Sequence, residues 1–223
     1  MQVQAQYGRL AAAGKATVAI WFAFAAMAQA AETHILALGD SLTQGYGLIE
    51  EEGFVPQLRA WLEERGHDVR LINGGVSGDT TAGGLARVEW SLTPEVEGMI
   101  VTLGGNDLLR GIPPENAREN LRGIMEVAEA RGIEVLLVGL PAPGNYGAAY
   151  KQSFDAIYPE LSEEFGTLYY PDFFEGMRIA GATSTNNGDF MQDDGIHPNA
   201  KGVAHIVDAI GPAVEELIER AGE

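Results

Sequence analysis

The stretch "HILALGDSLTQGYG" (34–47) decides how the chain is read. Residues 34–39 form an apolar run too short for a typical helix and without a polar face. A strand of that kind is buried on both sides, which is the pattern of a parallel sheet under two layers of helices. The run ends in "GDSL" (39–42), so Ser41 stands just past a strand where a helix could begin. The bland reading is an N-cap, because a serine oxygen satisfies an orphan backbone N–H. The sharper reading is a nucleophile, since a helix N-terminus favours developing negative charge. Ser41 alone does not separate the two.

Outward from that run, the same pattern repeats. Apolar runs follow at "DVRLIN" (68–73), "GMIVTL" (98–103) and "IEVLLVGL" (133–140), with a weaker one at "TLYYP" (167–171). Between them the spacing predicts helices over 53–65, 80–91, 115–131, 148–164 and 200–220. In "ERGHDV", "ARGIEV" and "EFGTLY", the glycines Gly66, Gly132 and Gly166 follow the last helical turn, where a left-handed residue is needed. Alternating strands and helices predict a three-layer α/β/α flavodoxin-like sandwich with a five-stranded parallel sheet and right-handed crossovers. A site in such a sheet lies beyond the carboxyl ends of the strands, at the topological switch point. The loops expected there, "GDSLTQGYG", "NGGVSGDT", "GGNDLLRG" and "LPAPGNYG", are all rich in glycine and small polar residues.

Residues 1–30 read as a segment apart. Arg9 and Lys15 are the only charges before Glu32, and "ATVAIWFAFAAMA" (16–28) is uncharged and apolar. With Ala28 and Ala30 in the small-residue positions of a cleavage site, 1–30 is expected to be a secretory signal peptide. The apolar run is short for a helix crossing about 30 Å of hydrocarbon, so retention as an anchor is the lesser reading. Cleavage near Ala30 implies export to the periplasm or beyond, with no integral membrane domain in the mature chain. Residues 31–223 are then expected to form one domain, because the 46% hydrophobic composition of the 223-residue chain suffices for one core.

The chain has 14 Lys+Arg against 32 Asp+Glu, a net charge of −18. Arg9 and Lys15 both fall in the leader, so the remainder is more acidic still. Such a surface repels phosphate backbones and anionic lipids, which argues against nucleic-acid binding. There is no cysteine, hence no disulfide and no thiolate nucleophile. Neither G-x-x-x-x-G-K-[ST] nor G-x-G-x-x-G occurs, so the glycines do not form a nucleotide cradle. No cofactor and no metal are expected; Asp40, Asp79 and Asp107 are scattered beside one plausible histidine ligand. Asp40 reads as fixing its loop, and the other two as helix caps or partners of loop amides. Trp61 and Trp90 read as core, while Trp21 belongs to the leader.

A serine nucleophile needs a base. His34 and His67 sit at strand and turn positions and His205 within the last helix, all ordinary places for structural histidines. His197 differs, lying in the turn-forming "DDGIHPNAKG" (193–202) just before that helix. Asp194, three residues earlier, can accept from its Nδ1–H and leave Nε2 free for a serine proton. Asp193 is also near, but Asp194 is preferred. Acyl transfer further needs donors for an oxyanion. Gly78 in "VSGDT" offers a bare backbone N–H, and Asn106 in "GGNDL" offers a side-chain amide. A turn glycine and a helix cap explain these two about equally well singly. Together, Ser41, Gly78, Asn106 and His197 all fall at one end of the predicted sheet.

These four segments resemble the motif blocks of the SGNH (GDSL) hydrolases, in order, from about residue 34 to residue 218. "SGDTTAGGLARV", "LGGNDLLRG" and "MQDDGIHPN" are most similar to the exported bacterial arylesterase, acyl-thioesterase and lysophospholipase branch. The resemblance implies Ser41 as nucleophile, His197 as base and Asp194 as its orienting carboxylate. It implies an oxyanion hole of Gly78 N–H, the Asn106 amide and Ser41 N–H. It also implies that "LPAPGNYGAAY" (140–150) lines the acyl pocket, with Pro143, Asn145 and Tyr146 touching substrate. The expected substrate is a small-molecule ester or thioester, taken by a monomer or weak oligomer. Deacetylation of sugars or cell-wall polymers is the alternative activity, and a non-catalytic binding module the alternative class. "TQGYG" (43–47) reads as room beside the serine for substrate.

Overall fold

Ile35, Leu36, Ala37 and Leu38 are all buried, so the strand before Ser41 runs through the middle of the core. The computed structural model describes residues 32–183 and 187–222. The expected signal peptide over 1–30 lies outside the described residues. Five strands, β1 (Thr33–Gly39), β2 (Val69–Gly75), β3 (Gly98–Thr102), β4 (Glu134–Val138) and β5 (Leu168–Tyr170), form one sheet. All neighbours pair in parallel, in the order β2-β1-β3-β4-β5. That is the flavodoxin-like arrangement, as the alternation of strand and helix predicts, and its switch point lies between β1 and β3. Gly39 pairs with Gly75 on one side and Thr102 on the other, so three strands end level around that point.

The helices are α1 (Ser41–Gln44), α2 (Phe54–Glu63), α3 (Thr81–Ser91), α4 (Gly105–Leu109), α5 (Pro114–Arg131), α6 (Ala148–Asp155), α7 (Ile157–Phe165), α8 (Glu175–Ile179) and α9 (Ala200–Ala221). In one layer α9 packs against α2 and α8; in the other α5 packs against α3 and α7. Each layer seals one face of the central strands β1, β3 and β4, which are buried almost throughout, while the edge strand β2 exposes Arg70 and Asn73. Gly132 and Gly166 close α5 and α7 in the left-handed conformation, as expected. No helix among the described residues is long and apolar enough to cross a membrane.

Three local expectations are corrected. The helix expected over 148–164 is two helices that part at Ala156. Pro159 supplies the reason: it has no N–H to donate to the carbonyl four residues earlier, and its ring crowds that carbonyl. Trp61 is buried, but Trp90 is 72% exposed, because the inward stripe of α3 is Thr81, Gly84, Arg87 and Val88. Arg87 lies inside instead, donating to the Gly39 carbonyl at 2.8 Å and to Asp79 at 2.7 Å. Asp79 is therefore the ion-pair partner of a buried arginine rather than a cap.

Candidate active site

The turn after β1 is tight. A Cβ on Gly39 would overlap the Thr43 hydroxyl, so only glycine lets α1 fold back so closely on the strand end. The residue that caps α1 is Asp40, whose carboxylate accepts from Leu42 N–H at 3.0 Å. Ser41 is the first helical residue, which removes the bland N-cap reading and leaves its hydroxyl for other work. Asp40 is 1% exposed and its second oxygen accepts from the Asn106 amide at 3.2 Å. Burial pushes the Asp40 carboxyl up to about 6, against the pull of its hydrogen bonds to Leu42 and Asn106.

Asn106 is the second residue of α4, after β3, with Gly104 in the cap position. The helix-cap alternative for Asn106 is thus removed, because Gly104 holds that position. Asp107 binds across to α3: its two oxygens accept from the Thr81 N–H at 2.8 Å and hydroxyl at 2.7 Å. Ser41 and Asn106 therefore emerge from β1 and β3 on either side of the switch point. That neighbourhood follows from strand order alone.

His197 is delivered by a small hairpin. Met191 pairs with Pro198 as an antiparallel bridge, and Gln192 N–H donates to the His197 carbonyl at 2.8 Å. Within the hairpin, one Asp194 oxygen accepts from the Ile196 N–H at 2.9 Å and the His197 N–H at 3.0 Å. The other oxygen lies 2.6 Å from His197 Nδ1. These bonds, the side-chain one foremost, lower the Asp194 carboxyl to about 2. An ionised carboxylate can only accept, so Nδ1 carries the proton and Nε2 is the accepting nitrogen. His197 Nε2 lies 2.8 Å from Ser41 Oγ, and the serine hydroxyl can donate to it. Asp193 makes no such contact with the ring, as the preference for Asp194 anticipates.

An open cleft of about 740 Å³ begins at these groups, within the range typical of small-molecule sites. Ser41, Asn106 and His197 line it, as do Pro143, Asn145 and Tyr146 of the loop after β4. Its remaining wall is mostly apolar, including Leu108, Leu109, Leu140, Phe174, Met177 and Ile196. Gly78 is not among the lining residues; its φ is +85° and its carbonyl accepts from Arg110 at 2.7 Å.

Two supports escape the sequence reading. Gln192 donates from Nε2 to the Tyr46 carbonyl at 2.7 Å and the Pro198 carbonyl at 3.0 Å, tying the histidine hairpin to the turn after α1. The Tyr46 ring lies 4.7 Å from the His197 ring, centre to centre. "TQGYG" is therefore not empty room for substrate: Tyr46 backs the imidazole, and the cleft opens elsewhere. Nothing in the spacing of "MQDDGIHP" signals Gln192, because its partners are set by a hairpin and a distant turn.

Known proteins share this arrangement of sequence. A model of the GDSL-like lipase/acylhydrolase family matches residues 37–205. The esterase TesA of Pseudomonas aeruginosa is 37% identical over 191 residues, covering 85% of this chain and 92% of that protein. The thioesterase 1/protease 1/lysophospholipase L1 of Escherichia coli is 35% identical over 192 residues, covering 86% and 87% respectively. Among solved structures, AlinE4, an SGNH-hydrolase family esterase, is 45% identical with a TM-score of 0.68, covering 83% of this chain and 96% of its own. The chain belongs to the GDSL-like lipase/acylhydrolase family.

Proposed function

We propose that the protein is a serine ester hydrolase working through an acyl-enzyme, with Ser41, His197 and Asp194 as its triad. The observation that carries this reading is the hydrogen-bonded relay from Asp194 through His197 to Ser41 at the head of an apolar cleft. Ser41 Oγ attacks the carbonyl carbon of the ester while His197 Nε2 takes its proton. The carbonyl oxygen becomes an oxyanion, met by the Asn106 amide and the backbone N–H of Ser41, which line the cleft; the Gly78 N–H is added on the family's pattern alone, since Gly78 lies outside that lining. As the intermediate collapses, His197 returns the proton to the leaving alcohol or thiol, and Ser41 keeps the acyl group. Water, deprotonated by His197, then releases a carboxylic acid and restores the serine.

The apolar wall supports aryl and short- or medium-chain acyl esters over acetylated sugars, whose hydroxyls would lack partners along most of the cleft. Thioesters share the same carbonyl chemistry. Ser41→Ala on p-nitrophenyl butyrate tests the reading: turnover should fall by several orders of magnitude, and full activity would end it. Residues 1–30 are read as an export signal, supported by their apolar run and Ala-x-Ala ending. The mass of the protein recovered from the periplasm should correspond to a chain beginning at Ala31. Recovery only as a membrane-bound full-length chain would favour the anchor.

A further inference from the structure

Three backbone carbonyls in the segment around Asn106 face a row of tyrosines. Leu103 lies just past the end of β3, Leu109 ends α4, and Ile112 follows it. All three accept from tyrosine hydroxyls. Tyr158 donates to Leu103 at 2.9 Å in a buried contact, Tyr150 to Ile112 at 2.8 Å, and Tyr146 to Leu109 at an exposed 3.5 Å. The three donors come from one stretch with four-residue spacing, Tyr146, Tyr150 and Tyr158, with Phe154 filling the remaining position. Successive rings lie 5.0, 5.9 and 6.0 Å apart, so the four form a continuous aromatic ladder across the break at Ala156. Its upper rung, Tyr146, lines the cleft, and its lowest, Tyr158, is 1% exposed beneath Gly104. A Cβ on Gly104 would overlap the Tyr158 hydroxyl, and its φ of +121° is glycine's domain. The backbone one residue before α4 is thus pressed directly onto the phenol.

We propose that Tyr158 and Tyr150 are positioning residues for Asn106, their hydroxyls holding the backbone turn from which its amide meets the oxyanion. The proposal rests on the oxyanion role given to Asn106 above. Asp40 orients the amide from the side chain, and the tyrosines set the main chain beneath it. Burial raises the Tyr158 hydroxyl well above the ordinary phenol value, so it stays a donor at any working pH. Burial sets Tyr158 above Tyr150, and both burial and distance set Tyr146 last, so Tyr158 acts most strongly, Tyr150 next, and Tyr146 least.

The test is a double-mutant cycle with kcat measured per fluorophosphonate-reactive serine on p-nitrophenyl butyrate. Tyr158→Phe in the wild-type background should lower kcat about tenfold with KM changed less than about twofold, the pattern of a defect felt in the transition state. In an Asn106→Ala background the same change should lower kcat less than about twofold, because the group being positioned is gone. Tyr150→Phe should repeat the pattern at about threefold, and it carries the test if Tyr158→Phe fails to fold. Equal losses in both backgrounds, an unchanged kcat, or a rise in KM alone would overturn the proposal while leaving the oxyanion reading intact. Full turnover by Asn106→Ala would overturn both.

Discussion

Asp40 and Asp194 serve the same site from contrasting surroundings. Asp40 is buried and links residues far apart in the chain, the start of α1 and the Asn106 amide. Asp194 is exposed, and its three hydrogen bonds all go to residues 196 and 197. Burial dominates the first and pushes it up to about 6; hydrogen bonds dominate the second and pull it down to about 2. The Ser41 side of the cleft is therefore built by the whole sheet, whereas His197 is held by one hairpin. A change on the hairpin should damage chemistry and spare the fold. A change at Asp40 should register in stability as well.

The first way to break that contrast is His197→Ala, which should cost about 10³-fold or more in kcat/KM with little change in melting temperature. A melting temperature that collapses with activity would mean the hairpin is structural. Asp194→Asn comes next, at about 10³-fold, because it leaves the ring placed but alters which nitrogen carries the proton. On the sheet's side, Asn106→Ala should lower kcat about 10²-fold with KM little changed. A large rise in KM alone would assign Asn106 to ground-state binding.

The smallest effect is on stability against pH. The folded state raises the Asp40 pKa, so its contribution is fully present below about pH 4 and is lost as pH rises through about 6. The folded state lowers the Asp194 pKa, so its contribution is present above about pH 4 and is lost as pH falls through about 2. Urea denaturation between pH 4 and 7 should show a downward slope in wild-type stability that flattens in Asp40→Asn. An identical slope in both proteins would show that Asp40 is not the group that titrates.

The contrast between the two regions also explains what the chain discloses when read unaided. The five apolar runs and the glycines after α5 and α7 are local signals, and they were enough for the parallel sheet and its layers. Ser41, Asn106 and His197 were legible because each sits at a strand end or last loop, and strand order carries them together. The Asp194–His197 pair was legible because a three-residue spacing in a turn is self-contained. What escaped depends on partners remote in sequence. Arg87 sits on the inward stripe of α3 only because Asp79 and the Gly39 carbonyl receive it. Gln192 and Tyr46 join the hairpin to the first turn across 146 residues. The break at Ala156 had its own local sign in Pro159, outweighed by the apolar spacing on either side.

The central claim is that Ser41 is the acyl-accepting nucleophile, and peptide mapping after fluorophosphonate labelling tests it most directly. A single adduct should form on the Ser41 hydroxyl, in step with loss of esterase activity, and be absent in His197→Ala on the same time scale. An adduct on another residue, or full inactivation with Ser41 unmodified, would contradict it.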